Sequence, residues 1–229
     1  MSKRITYTEP NQLEAQAAKK INNVNMVLDV GCGIRPQTFI NPFVHICYDA
    51  HQQYLDVLQT KLTRRKTLTG KLQYIFVNKT VDELISNFPR KSVDTIFLLD
   101  VIEHLDKNQG LELMKAFNEI ARHQIVIFTP LGFVPQEHPD GKDAWGLDGG
   151  KWQQHKSGWT PDDFDNSWEF LVCKNFHSSD NLGNKHENEV GAFFAIKTVG
   201  NPPDTIAKKN LLDRALFWIN TFLLSQKIK

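Results

Sequence analysis

Two carboxylates and an imidazole, Asp100, Glu103 and His104, stand within five positions, directly after an apolar run that ends at Leu99. On a helical turn these three side chains share one face, because residues three and four apart are neighbours there. An imidazole so placed can take a proton from a hydroxyl or amine nucleophile. The same groups can instead hold a divalent cation that lowers a hydroxyl's pKa and orients it. A third reading has Glu103 and His104 hydrogen-bonded to backbone, orienting a loop. The residues leave these roles open. No metal is assigned and Mg2+ is not favoured, since no fourth ligand is assured; His138 and His155 are the available ones.

A second group lies earlier in the chain. Gly31 and Gly33 close a short apolar run at 26–30, as in a buried parallel strand that opens into a turn. Glycines there let the backbone pass close to a ligand with no Cβ in the way. A dinucleotide pyrophosphate would call for a third glycine at position 36, which is Pro36. Proline suits the first turn of a helix, so the loop still closes, but a nucleotide lacking phosphates is favoured. Asp49 follows Gly31 by 18 residues, at the end of the next apolar run, where a carboxylate can accept from both ribose hydroxyls.

These residues need a framework that brings strand ends together. Apolar runs at 26–30, 43–48, 72–77, 93–99 and 125–128 alternate with segments of helical spacing, among them 111–120 and a helix starting after the capping box Thr80-Val81-Asp82-Glu83. Such alternation implies right-handed crossovers and a parallel sheet covered on both faces. Two further runs, 168–173 and 192–197, read as a final pair of strands with a polar loop at 175–189 between them, giving seven strands in all.

The motifs resemble a known family. Leu28-Asp29-Val30-Gly31-Cys32-Gly33 looks like the first motif of class I S-adenosylmethionine-dependent methyltransferases. Asp94-Thr95-Ile96 with Asp100-Val101-Ile102-Glu103-His104-Leu105 resembles the fourth-strand motif of the branch that includes the ubiquinone-biosynthesis O-methyltransferases. The resemblance implies an α/β, Rossmann-like, doubly wound sheet ordered 3-2-1-4-5-7-6, with strand seven antiparallel and helices on both faces. It also implies a cofactor site. Asp29, Gly31, Cys32 and Gly33 would lie along the methionine part, Asp49 and Ala50 at the ribose, Thr80 and Val81 at the adenine, and Leu99 and Asp100 beside the sulfonium, with His104 and Glu103 as catalytic groups. Where the family usually carries an acidic residue for the adenine amino group, this chain has Thr80.

The segment 131–166 is too long for an idle connection and is rich in Gly, Pro, Trp and His. The family commonly places its acceptor-binding lid here, which makes His138, Trp145, His155 and Trp159 substrate-binding candidates. A small satellite core that anchors the loop is the competing reading. The implied acceptor is a small molecule or glycan, methylated at O or N.

Composition narrows the alternatives. A chain of 229 residues with 41% hydrophobic side chains supports one domain, here 1–203, followed by an amphipathic stretch at 204–229 that could dock on the domain, on a second copy as a homodimer, or in a membrane interface. The net charge of +1 gives no general attraction to nucleic acid, and the basic cluster Lys61, Arg64, Arg65, Lys66 and Lys71 lacks interleaved aromatics, so RNA is not favoured. The polar start of the chain, together with the lack of any run of 18 apolar residues, suggests the cytoplasm, with at most peripheral contact at the inner membrane face. Cys32, Cys47 and Cys173 read as reduced core thiols. Two rival readings remain, a nicotinamide oxidoreductase and a non-catalytic scaffold that keeps the fold.

Overall fold

The computed structural model describes residues 2–64, 73–179 and 185–204. Eight strands form one sheet: β1 (Arg4–Tyr7), β2 (Met26–Val30), β3 (Val44–Asp49), β4 (Gln73–Asn78), β5 (Val93–Leu99), β6 (Ala121–Pro130), β7 (Glu169–Ser179) and β8 (Lys185–Thr198). Their order is β1-β7-β8-β6-β5-β2-β3-β4. All neighbours are parallel except β8, which runs antiparallel to both β6 and β7. From β7 to β4 this is the expected seven-stranded arrangement. The expectation fails by one strand, since β1 adds a parallel edge beyond β7. Its four residues are all exposed, so no apolar run marks them in the sequence.

Burial explains the central strands. Val27 and Leu28, Ile96 and Phe97, Val126 and Ile127, and Phe193 and Phe194 point alternately into two cores on opposite faces of the sheet. The helices α1 (Leu13–Lys20) and α2 (Gln52–Arg64) cover one face, and α3 (Val81–Asn87) and α4 (Lys107–Ile120) the other. The capping box at Thr80 and Glu83 starts α3 as its spacing predicts.

Two connections differ from expectation. No helix follows Pro36, and residues 34–43 cross from β2 to β3 as an irregular segment whose Phe39 and Ile40 fill the core where a helix would pack. Asp29 holds this path by accepting from the Gln37 backbone N–H at 2.7 Å. The Gln37 side chain in turn brackets Ile40, donating to its carbonyl at 3.0 Å and accepting from its N–H at 3.2 Å. Second, β7 and β8 reach well into the polar loop expected at 175–189. Backbone pairing continues there past register shifts, through His177 with Val190 and Ser179 with Lys185, and needs no apolar side chains to do so.

Among the described residues no helix is long and apolar enough to cross a membrane. The amphipathic stretch from 205 onward, together with Arg65, Lys66 and Lys71 of the basic cluster, lies outside the described residues.

Candidate active site

The site forms at the carboxyl ends of β2, β3 and β5. Gly31 and Gly33 both adopt positive φ, +65° and +53°, and a Cβ on Gly31 would stand 2.4 Å from a methyl of Val101. Only glycine fits that turn. Asp49 is buried at the tip of β3 and fastens the turn, its Oδ2 accepting from Gly33 N–H and its Oδ1 from His51 N–H, both at 2.8 Å. Burial pushes its carboxyl pKa up, against the pull of these two donors. Each oxygen keeps a further lone pair for a ligand hydroxyl.

Two cavities open around this turn. The smaller, about 330 Å³, is lined by Gly31, Asp49, Ala50, Thr80, Val81 and Asp100, all cofactor candidates in the sequence, and also by Tyr54 and Asp82. The larger, about 430 Å³, is lined by Gly31, Cys32, Gly33, Leu99, Asp100, Glu103, His104, Trp145 and His155. The cavities share Gly31, Asp100, His104 and Gln153, so a molecule filling one presents its end to the other. Asp29 lines neither. Its Oδ2 accepts from the Gln37 backbone N–H and lies 3.0 Å from His45 Nε2, so Asp29 shapes the loop beneath the turn and, unlike the other cofactor candidates of the first motif, stands outside both cavities. Thr80 lines the smaller cavity, but its hydroxyl is engaged with Glu83 in the helix cap. The acidic group there is Asp82, two residues further on, where it accepts from Gln109 at 2.8 Å.

At the end of β5, Asp100 takes a left-handed backbone, φ +52°. Aspartate tolerates this conformation better than most residues, and such outliers gather at functional sites. Its side chain is exposed toward the open cavity. Desolvation by the strand ends around that cavity, with the charge of Glu14 adding, pushes its carboxyl up to about 7. Glu103 is buried, and its Oε2 accepts from the Thr129 hydroxyl at 2.9 Å. Burial and the Asp100 charge hold its pKa well above the usual carboxylate range. His104 is pushed down to about 4, by burial and then by His155, with the carbonyls of Gln154 and Asp100 opposing in part. His155 shifts down as well, mainly through burial. Ligand atoms of Glu103, His104 and His155 lie within 4.8 Å of one another.

Residues 28–124 match the family model described as Methyltransferase domain. Residues 28–124 thus resemble a methyltransferase domain. Solved structures agree on the fold. An S-adenosylmethionine-dependent methyltransferase from Methanosarcina mazei superposes with a TM-score of 0.54 at 14% identity, over 80% of this chain and 96% of that one. Another from Clostridium acetobutylicum gives 0.51 at 13%, over 82% and 89%. No curated protein sequence matches. S-adenosylmethionine is the cofactor that such a domain takes.

Beyond the matched residues, 131–166 folds over the methyltransferase domain and sorts the lid candidates. Trp145 reaches the cavity and packs on the glycine turn, 3.3 Å from where a Cβ of Gly33 would stand. Its ring meets Tyr54 edge-on at 5.2 Å, and the Tyr54 hydroxyl donates to Asp143 at 2.5 Å. Asp143 in turn accepts from the N–H groups of Trp145 and Leu147, so one buried carboxylate ties the lid to α2. Neither Tyr54 nor Asp143 stands out in sequence. Tyr54 reads as a core residue of α2, and their pairing spans 89 positions.

Trp159 is not a substrate contact. It is fully buried, donates from Nε1 to Ser157 at 2.8 Å and to the Ile102 carbonyl at 3.2 Å, and packs so closely on Gly110 that a Cβ there would stand 2.5 Å from its ring. Here the anchoring reading holds. Lys156 and Ser157 also donate from their backbone N–H groups to the Glu103 carbonyl. This clamp carries His155 up to His104, ring centroids 4.9 Å apart. His138 stands near Gln136 and lines neither cavity.

Proposed function

We propose that the protein transfers the methyl group of S-adenosylmethionine to an oxygen or nitrogen atom of a small molecule or glycan. The observation that carries this reading is the pair of cavities meeting at Gly31, Asp100 and His104. In this reading the adenosine occupies the smaller cavity, with its ribose on Asp49 and its amino group toward Asp82. The methionine part follows the glycine turn, so that the sulfonium faces the larger cavity, where the acceptor sits. The acceptor bond to carbon then forms in line as the sulfur–carbon bond breaks, leaving a neutral thioether, and the acceptor's proton departs toward the wall built by Glu103, His104 and His155. Because the sulfonium is already activated, positioning supplies most of the acceleration.

Calorimetric titration of the purified protein with S-adenosylmethionine, NAD and NADPH tests it. The expected result is binding of S-adenosylmethionine alone, weakened about tenfold or more in Asp49→Ala, as loss of hydrogen bonds to a charged group implies. A folded sample that binds no S-adenosylmethionine overturns the proposal.

A further inference from the structure

Two thiols lie together beneath the glycine turn. Cys32 stands between Gly31 and Gly33, and its backbone N–H shares the Tyr48 carbonyl with that of Gly31, at 3.3 and 2.7 Å. Cys47 precedes Tyr48 on β3 and is paired with Asp29 in the sheet register. The two side chains pack in one buried cluster with Leu55 and Leu58 of α2, and the Cys32 thiol donates to the Cys47 sulfur. Cys47 is fully buried, whereas Cys32 also lines the larger cavity. A group that can carry a proton stands beside them. His45 is two positions from Cys47, so both side chains lie on the same face of β3, and its Nε2 is 3.0 Å from Asp29 Oδ2. The Cys32 donor, with His45 adding, lowers the Cys47 pKa against the effect of burial. The third thiol, Cys173, lies in a different core cluster.

We infer that Cys32 and Cys47 form a redox modification site, at which a peroxide entering the larger cavity converts the two thiols to a disulfide that distorts the glycine turn and weakens cofactor binding. Once the pair has lost one proton to His45, the charge can sit on either sulfur, because the remaining proton moves between them. With the charge on Cys32, its sulfur attacks a peroxide oxygen. The S–O bond forms, the O–O bond breaks, and the leaving oxygen takes the proton from His45, which makes a sulfenic acid. Cys47 then gives its proton to His45 and attacks the Cys32 sulfur, so the S–S bond forms and the S–O bond breaks. The departing hydroxide takes that proton and leaves as water. The two thiols lose two electrons and two protons in all, and the peroxide takes them up. An S–S bond of about 2.05 Å draws the sulfurs together. The turn that must follow carries Gly31 and Gly33 at positive φ and the Gly33 N–H bond to Asp49. The effect on the cofactor rests on the methyl-transfer reading; formation of the disulfide does not.

The test treats the purified, reduced full chain with hydrogen peroxide after the reductant is removed. Titratable thiols, intact mass and calorimetric binding of S-adenosylmethionine are then measured. The expected result is a fall from three thiols to one and a species lighter by two hydrogens, with peptide mapping that joins Cys32 to Cys47. Affinity for S-adenosylmethionine should weaken by about tenfold or more, and dithiothreitol should restore all of these values. Cys47→Ser should give no lighter species, and Cys173→Ser should give it as the wild type does. Mapping of the wild type locates the bond even if Cys47→Ser does not fold. Three thiols after treatment, a mass that rises by oxygen atoms with no lighter species, or a bond through Cys173 overturns the site. A bond between Cys32 and Cys47 that leaves the affinity unchanged overturns its control of the cofactor. Reduced protein that binds no S-adenosylmethionine yet forms the bond leaves the modification site standing and overturns the methyl-transfer reading.

Discussion

At the scale of single residues, the same carboxylate chemistry takes three forms in this site according to what surrounds it. Asp29 is buried and holds Gln37 and His45 through one oxygen as a structural clamp, Asp49 is half-committed to backbone and keeps lone pairs for a ligand, and Asp100 stands in the cavity with its pKa raised to about 7. The last has a consequence for stability. A carboxyl whose folded-state pKa is raised contributes stability that is complete below its unfolded value, near 4, and is lost as pH rises through about 7. The depressed His104 and His155 act in the opposite sense over this range, so the Asp100 part is read as a difference: the melting temperature of Asp100→Asn relative to the wild type should rise from pH 6 to pH 8 in cofactor-free protein. A sulfonium beside Asp100 favours the ionised form, so saturating S-adenosylmethionine should remove most of the same slope. Much of this residue-level picture was legible in the chain. Gly31, Gly33, Asp49 and Asp100 announce themselves by following apolar runs at fixed spacing. Asp29 did not, because its position inside the first motif says nothing about which way its carboxylate is spent.

At the scale of elements, the alternation of apolar runs located β2 to β6 within a few residues, since strands buried on both faces must be apolar throughout. The irregular crossover at 34–43 and the long β7–β8 hairpin were not legible, because side-chain bracketing by Gln37 and backbone pairing of polar residues leave no periodic trace. The lid shows the same limit. Three tryptophans in a long segment look equivalent in sequence, yet Trp145 lines the larger cavity, Trp152 the smaller one, and Trp159 lies in the core against Gly110. Trp159→Ala should accordingly cost about 3–5 kcal/mol in chemical denaturation, the usual range for emptying a large aromatic site. It should also separate His155 from His104 by loosening the clamp at Ile102. Trp145→Ala leaves no comparable cavity in the core and should lose far less stability than Trp159→Ala in the same measurement.

At the scale of the whole molecule, β1 is the feature that departs from the seven-stranded plan. Arg4 pairs with Glu169 at 2.5 Å, Lys20 of α1 reaches the same carboxylate at 2.8 Å, and Lys3 donates to the Phe164 carbonyl at 2.8 Å, so the start of the chain is laced to the segment around β7. Exposed ion pairs of this kind contribute little each, and the strand's own side chains are exposed. Deleting residues 2–8 should lower the melting temperature by a few degrees, about 2–8 °C for a loss of some 1–3 kcal/mol, and leave S-adenosylmethionine titrations unchanged, because neither cavity is lined by those residues. The partners of this strand also set a timetable. Arg4 and Glu169 are 165 positions apart, so at ribosomal speeds of about 5–20 residues per second β1 waits roughly 10–30 s for its neighbour to emerge. Synthesis order and docking order are thus opposed at this edge.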